Sequence, residues 1–191
     1  VLAQVEPQAA QLAERYGLTL ERGGDAEGSG EANTSIFVAA PVGAGMLLAF
    51  LLAQFRSFRK VGVVLLTVPL AATGVIPGLL LAGQPFGFTS LLGLFALVGI
   101  VVNNAIILID FIDTEREGGA NIDDAVAAAV QVRARPILLT TATTIVGMAP
   151  LLFSSSTLWP PLASALISGL TASTALTLLV VPAAYVLLFR D

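Results

Sequence analysis

The chain has 191 residues, of which 56% are hydrophobic and 12% are charged, and its mean hydropathy is +0.90. This composition excludes an ordinary soluble domain and indicates an integral membrane protein. The formal net charge of −4, without a dense basic cluster, argues against nucleic-acid binding, and the absence of cysteine leaves the redox compartment open.

The first 33 residues are the polar part of the chain. Residues 1–17 have the pattern of a helix, residues 18–22 that of a short strand, and residues 23–35 that of a polar loop. There is no basic start of the kind that signal peptides have. Because a lone helix and strand cannot form a stable domain, we interpret residues 1–33 as the end of a larger soluble α/β domain and the chain as a fragment.

Five apolar stretches follow, each long enough to cross a bilayer core of about 30 Å as a helix. They are about twice as long as barrel strands and do not alternate, so helices are favoured over a β-barrel. The predicted spans are about 36–55, 61–82, 88–110, 136–153 and 162–189. The sequence therefore predicts an all-α membrane protein with five transmembrane helices.

The positive charges predict the orientation of these spans. Lys and Arg lie between the first and second spans, between the third and fourth, and after the fifth, whereas the other two loops contain none. By the positive-inside rule the charged side is cytoplasmic, which places residues 1–33 outside the cytoplasm and the C-terminus inside. The charged residues are Arg56, Arg59, Lys60, Arg116, Arg133, Arg135 and Arg190.

The long connection between the third and fourth spans contains a predicted amphipathic helix at about 121–135. Asn121 suits its N-cap, and Asp123 and Asp124 suit its first turn. Its apolar face consists of Ile122, Val126, Ala129 and Val130. Such a helix is expected either along the inner membrane surface or as a solvated linker.

Two amides lie inside the third span, at Asn103 and Asn104, and Thr140 of the fourth span is predicted at a similar depth. Amides in hydrocarbon need polar partners, so these side chains are expected to face other helices or a water path. Two interpretations stay open: hydrogen bonds that hold helices together, or part of an ion path. The second normally needs a titratable group, and these spans have no carboxylate or lysine at mid-membrane.

Small residues predict close helix packing. Ala165, Gly169 and Ser173 repeat every four residues in the fifth span, and Gly99 is a further candidate in the third. Such faces let helix backbones approach each other closely.

These segments resemble the C-terminal membrane half of the resistance-nodulation-division (RND) efflux transporters, in the hydrophobe/amphiphile multidrug branch. The resemblance covers essentially the whole chain. It is carried by "LLAQFRSFRKVGVVLLTVPLAATGVIPGLLLAGQPFGFTS", "SLLGLFALVGIVVNNAIILIDFID", "RARPILLTTATTIVGMAPL" and "LISGLTASTALTLLVVPAAYVLL", while "GGDAEGSGEA" resembles the end of the periplasmic porter domain. The fragment would then hold the last five helices of an RND-type twelve-helix domain.

The resemblance implies a multi-pass inner-membrane pump that exports hydrophobic or amphiphilic compounds by proton antiport. Such pumps are usually homotrimers that work with a periplasmic adaptor and an outer-membrane channel. They are not enzymes, and no catalytic residue, cofactor or metal site is expected here. Their proton-carrying aspartates lie in the N-terminal half, which would be the partner of this piece within the bilayer.

The resemblance also assigns a proton-relay network to Asn103, Asn104, Arg133 and Thr140. Asn103 departs from the family pattern, because well-studied members have a lysine there. An amide can bind either protonation state of a carboxylate but contributes no charge. The alternative function is an RND-like membrane sensor of the sterol-sensing type, or a protein-export accessory module, and the sequence upstream would discriminate between these possibilities.

Overall fold

A computed structural model describes the backbone of residues 25–190, with side chains described at residue 36 and from residue 38 onward. The helix and strand predicted within residues 1–22 lie outside the described residues. The described part consists of five long helices, α1 to α5, and a short 3₁₀ helix between α4 and α5. Their bounds are α1 Asp25–Phe55, α2 Phe58–Leu81, α3 Phe88–Glu117, α4 Ile122–Met148, the 3₁₀ helix Ala149–Phe153, and α5 Trp159–Phe189.

Each of the five helices is long and apolar enough to span a membrane, and residues 25–190 contain no strand. The all-α fold class is therefore confirmed. The contacts between residues separate the chain into two compact units, and the division falls within α1, between Val42 and Gly43. The packing described below is that of residues 43–190.

Two element bounds differ from the prediction. The polar segment predicted as a loop at 23–35 is helical from Asp25 onward, because its alanines and glutamates have high helix propensity in spite of two glycines. The third span was predicted to end near 110, but α3 continues to Glu117. Polar residues beyond a membrane boundary can extend a helix, and the chain turns only at Gly118 and Gly119, the latter with a φ of 93°.

The segments predicted as a helix at 121–135 and a span at 136–153 are joined in α4, which runs through Pro136. Proline removes one backbone hydrogen bond, but its fixed φ of about −65° is compatible with a helix, so α4 continues. Near its start, Ala125 and Ala129 are fully buried, and Ile122 and Val126 pack beside them. The predicted apolar face of 121–135 therefore packs against the other helices.

Helix α5 is central to residues 43–190, since it packs against α2, α3 and α4. One hydrophobic cluster surrounds Tyr185 and includes Val64 of α2 and Ile109 of α3. A second cluster surrounds Leu170 and includes Val75 and Leu97. The two clusters follow one another along α5, so the core is a continuous column on this helix.

Close approach to α5 depends on glycines. A β-carbon added at Gly74 would clash with Ala172 and would lie 2.9 Å from the Ser168 carbonyl oxygen, and one at Gly78 would clash with the Ser168 side chain. A β-carbon at Gly169 would clash with Leu97 and lie 2.6 Å from Val75 Cγ2. These contacts fix α2 and α3 against α5 at backbone distance.

The other small residues predicted for helix packing lie in different surroundings. Ala165 and Ser173 are fully buried. A β-carbon at Gly93 of α3 would lie 3.1 Å from Ala165 Cβ, so this pair also belongs to the α3–α5 contact. Gly99 has nothing within 4 Å of its would-be β-carbon among the described residues, so it does not take part in the close α3–α5 contact.

Candidate polar coupling site

The two asparagines of α3 have different environments. Asn104 is buried, with 8% of its surface exposed, whereas Asn103 is exposed. Successive helix residues are rotated by about 100°, so neighbours in sequence point to different sides. Asn104 faces the interior of the helix group, and Asn103 faces a surface that no described helix of residues 43–190 covers.

The threonines of α4 divide in the same way. Thr140 is exposed, and its hydroxyl donates to the carbonyl of Ile137 in its own helix, 2.9 Å away. Thr141 is buried, and its Oγ1 lies 2.8 Å from Thr174 Oγ1 of α5. Either hydroxyl can donate in this bond. The described contact between α4 and α5 at this depth is therefore made by Thr141, one residue after the threonine singled out from the sequence.

The axial register shows which residues share a depth. Three contacts between α3 and α5 have the same separation along the chain: Gly93 with Ala165, Leu97 with Gly169, and Asp113 with Tyr185, the last pair 72 residues apart. Because the difference in residue number is the same for all three contacts, α3 and α5 run parallel and keep the same register along their length.

By this register Asn104 of α3 lies at about the same level as Thr177 of α5. Thr177 is one helix turn beyond Thr174. Thr177 is 1% exposed, and its Oγ1 has no hydrogen-bond partner among the described residues. Asn104, Thr141, Thr174 and Thr177 are therefore buried polar side chains at neighbouring levels of α3, α4 and α5, and we call them the buried polar layer. Polar contacts such as the Thr141–Thr174 bond can hold membrane helices together.

Arg133 lies on the side of α4 that meets α3. Its guanidinium carbon is 5.0 Å from the centroid of the Phe111 ring, which is cation–π geometry. Its Nε is buried and has no hydrogen-bond partner among the described residues. Phe111 is seven residues after Asn104, so Arg133 and the buried polar layer are about two helix turns apart along α3.

The uncovered surface of α3 also carries a carboxylate. Asp110 is exposed and lies seven residues after Asn103, which places both on one face of the helix. Thr141 bonds to Thr174 of α5, and the register between α3 and α5 relates Thr174 to its level on α3. Thr140, the neighbour of Thr141, therefore lies at a depth similar to that of Asn103. This surface therefore presents an amide, a hydroxyl and a carboxylate.

A second polar group, which we call the Asp113 network, joins three helices. Lys60 Nζ of α2 donates to Asp113 Oδ2 at 2.7 Å, and the Tyr185 hydroxyl of α5 donates to Asp113 Oδ1 at 2.7 Å. Arg116 Nη1 donates to the Tyr185 oxygen at 3.3 Å. The Tyr185 side chain is fully buried and stacks on Phe189, with ring centroids 4.6 Å apart.

Nothing in the sequence indicates this network beyond its charges, because the positive-inside rule assigns Lys60 and Arg116 only to the cytoplasmic side. Their partners could not be inferred, since Lys60 is 53 residues and Tyr185 is 72 residues from Asp113. The buried threonines of α4 and α5 did carry a weak signal. Thr174 and Thr177 are separated by one turn within an apolar span, which is the usual pattern of an interhelical polar contact.

A group of membrane-length helices with glycine-mediated packing and buried polar side chains is typical of a polytopic α-helical membrane protein. The sequence profile of the AcrB/AcrD/AcrF family matches residues 1–189. The chain therefore belongs to the AcrB/AcrD/AcrF family, a family of RND transporters.

Two curated relatives have the same degree of similarity. The cobalt-zinc-cadmium resistance protein CzcA of Cupriavidus metallidurans and the cation efflux system protein CzcA of Alcaligenes sp. are each 35% identical over 171 residues, which is 88% of this chain. The match covers 16% of each relative. The chain thus corresponds to a small part of the length of these proteins.

Solved structures give a consistent result. Two crystal forms of a heavy metal efflux pump match 96% of this chain, with TM-scores of 0.76 and 0.71 and identities of 28% and 29%. The match covers 19% of those chains. The RND family predicted from the sequence is confirmed, whereas these relatives do not support the multidrug branch, because their names refer to metal resistance and metal efflux.

Proposed function

We propose that the chain is part of a proton-driven RND pump that exports divalent heavy-metal cations. The observation that carries this proposal is the 35% identity over 88% of the chain with cobalt-zinc-cadmium resistance proteins. The hydrophobic or amphiphilic compounds implied by the sequence resemblance are the competing substrate class. In this proposal the chain lies in the inner membrane, with residues 1–33 at the periplasmic side.

The chain supplies part of the membrane domain in which proton movement is coupled to export. Its uncovered α3–α4 surface, with Asn103 and Thr140, is where the first membrane half of the pump packs. Asn104 and Arg133 lie behind that surface and support it from within the helix group. The whole pump is a homotrimer with a periplasmic adaptor and an outer-membrane channel.

The substrate class is tested with the longer pump that carries this chain, reconstituted in proteoliposomes. An imposed proton gradient is expected to drive transport of Zn²⁺, Co²⁺ or Cd²⁺, measured with a metal-sensitive dye on the receiving side. An amphiphilic dye tested in the same vesicles serves as the competing substrate. Transport of the dye without transport of any metal would establish the multidrug alternative, and transport of neither would favour the sensor or accessory module.

The proton-relay assignment of Asn103, Asn104, Arg133 and Thr140 is tested separately from substrate class. Asn104→Leu removes the buried amide at similar volume, and Thr140→Val removes the exposed hydroxyl. If these groups act only as contacts between helices, each change costs about 1 kcal/mol of stability and export per folded pump is unchanged. If they belong to the relay, folded protein accumulates and binds metal, but the proton gradient no longer drives export.

Thr143→Val is the matched control for the relay experiment. Thr143 is exposed, and its hydroxyl donates to carbonyls of its own helix at Leu139 and Thr140. Export by this variant is expected to equal that of the unmodified pump. If Asn104→Leu and Thr140→Val export as much per folded pump as the unmodified protein does, these two side chains act in packing and not in the relay.

A further inference from the structure

The Asp113 network lies at one end of the α2–α3–α5 group, where both oxygens of a single carboxylate are used. Oδ2 accepts from Lys60 of α2 and Oδ1 accepts from Tyr185 of α5, each at 2.7 Å. The side chains of Lys60 and Asp113 are 21% and 19% exposed. A charged hydrogen bond at this level of burial is stronger and more specific in geometry than a surface ion pair.

The two partners of Asp113 belong to helices that are already fixed to each other. Gly74 and Gly78 of α2 contact Ser168 and Ala172 of α5 so closely that a β-carbon would clash. Side chains that fit this closely against a facing glycine oppose shifts of the two helices along their axes. Helices α2 and α5 therefore form one framework, and Asp113 fastens α3 to both of its members.

The network and the glycine contacts bracket the asparagines of α3. Leu97, which packs on Gly169, lies seven residues before Asn104, about 10 Å along the helix, and Asp113 lies nine residues after it, about 13.5 Å. Between these two attachments α3 has a defined depth and rotation. If the Asp113 attachment is lost, α3 keeps its apolar packing, including that of Ile109 beside Tyr185, but loses the directional polar attachment on the Asp113 side of the amides.

We propose that Asp113 is a positioning residue of the coupling step: by joining Lys60 and Tyr185, it fixes the depth and rotation of α3 and thereby the placement of Asn103 and Asn104. This inference rests on the proposed function of the chain as part of a proton-coupled pump. It assigns a role to a carboxylate outside the proposed relay. Asp113 acts through α3 on Asn103, which faces the surface where the first membrane half packs, and on Asn104 behind that surface.

The kinetic test uses the longer pump in proteoliposomes, with Zn²⁺ as the transported probe and all rates normalised to folded trimer. Asp113→Asn and Lys60→Met each remove one charge of the pair. A displacement of about 1 Å in a reacting group can lower rates on the order of 100-fold, so a fall in kcat on the order of 10- to 100-fold is expected. The KM for Zn²⁺ is expected to stay within about 2-fold, because the metal does not contact this network.

Charge exchange separates positioning from a general effect on folding. The double variant Lys60→Asp with Asp113→Lys restores an attractive pair between α2 and α3, and kcat is expected to recover substantially relative to either single variant. Tyr185→Phe keeps the stacking on Phe189 and removes only the hydroxyl, so it gives a second measurement if Asp113→Asn does not fold. Its kcat is expected to fall as well.

The matched control is the ion pair between Arg190 Nη2 and Asp123 Oδ2. This pair also joins two helical segments, at 3.0 Å, but its side chains are 64% and 60% exposed. Asp123→Asn is expected to leave kcat and KM unchanged. Unchanged kcat per folded trimer in Asp113→Asn, or a proportional change in KM, would overturn the positioning role, as would a folded exchange variant without recovery.

A readout that does not depend on transport distinguishes failure of this inference from failure of the proposed function. Spin labels on cysteines introduced at Gly62 of α2 and Gly99 of α3 report the distance between these helices. Both glycines have open space around the would-be β-carbon. Asp113→Asn is expected to shift or broaden the distance distribution, even if Zn²⁺ proves not to be a substrate. An unchanged distribution would overturn the inference irrespective of what the pump transports.

Discussion

At the scale of single residues, the phase of each helix decides which polar groups can interact. Asn103 and Asn104 are adjacent in sequence, yet Asn103 is exposed and Asn104 is buried, with 8% of its surface exposed. The same division separates Thr140 from Thr141 in α4. The exposed member of each pair can interact outside the helix group, and the buried member can interact only within it.

The Thr141–Thr174 bond is expected to stabilise the contact between α4 and α5. Thr141→Val and Thr174→Val preserve volume and remove one hydroxyl each, so each variant should lose about 1 kcal/mol of unfolding free energy. Because both single variants lose the same hydrogen bond, the double variant should lose less unfolding free energy than the sum of the two single losses. The expected coupling energy is about 0.6 kcal/mol. The measurement is a double-mutant cycle from denaturant unfolding in detergent micelles.

Thr171→Val is the control for this cycle. Thr171 is exposed on α5, and its hydroxyl donates to Ile167 of its own helix at 2.7 Å. It should show no coupling to Thr141→Val. A fully additive result for Thr141 and Thr174 would mean that their contact contributes no specific stability.

At the scale of helices, the spacing between α2 and α5 is set by residues without side chains. Gly74 and Gly78 of α2 lie against Ser168 and Ala172, and no side chain larger than hydrogen fits there without movement. Other glycines of the same helices have open surroundings. The position of a glycine on the helix face therefore decides whether it contributes to packing.

Two glycines of α2 are expected to respond to alanine with opposite signs. Gly74→Ala would place a β-carbon against Ala172 and 2.9 Å from the Ser168 carbonyl oxygen, and overpacking of this kind costs about 1–3 kcal/mol. Gly62→Ala has nothing within 4 Å, so the higher helix propensity of alanine should stabilise the protein by about 0.5–1 kcal/mol. Unfolding of both variants in micelles measures the difference. Equal effects would show that α2 and α5 are not in backbone contact at Gly74.

The number of helices and the position of each residue along its helix could be predicted from the sequence, whereas the rotation of each helix about its own axis could not. A bilayer demands about 20 apolar residues per helix, so the spans are visible as long apolar stretches. Rotation is different because α3 is apolar on all sides, and hydrophobic periodicity then gives no phase. The sequence therefore located Asn103 and Thr140 at a common depth but could not show that Asn104 and Thr141 are the buried members.

The Asp113 network could not be predicted for a related reason. Charges near the ends of membrane helices have a strong alternative explanation in the positive-inside rule, and Lys60 and Arg116 fit that explanation. Their second role depends on the parallel register of α3 and α5, which brings Asp113 beside Tyr185. Only the packed arrangement of the helices defines that register.

At the scale of the whole molecule, the two kinds of polar group lie at different depths of the same framework. The polar layer around Asn104 is central to its helices, and the Asp113 network lies near the ends of α2 and α5 that carry Lys60 and Arg190. In the proposed orientation those ends are cytoplasmic, which places the uncovered face of Asn103 within the bilayer and the Asp113 network near the inner surface.

This orientation predicts which connections are accessible from outside the cell. The chain contains no cysteine, so single cysteines can be introduced into the longer pump once any others are removed. Ala82 and Ser155 are exposed in the connections after α2 and after the 3₁₀ helix, whereas Gln54 and Glu117 are exposed at the ends of α1 and α3. A membrane-impermeant maleimide should label Ala82→Cys and Ser155→Cys once the outer membrane is permeabilised.

Under the same conditions Gln54→Cys and Glu117→Cys should stay unlabelled until the inner membrane is also opened, because basic residues retain these connections in the cytoplasm. Disruption of both membranes is the control, since all four cysteines should then react. The reverse pattern would place the Asp113 network at the periplasmic surface. Asp113 would then position α3 from the side at which protons enter, and the proposed orientation of the pump would be wrong.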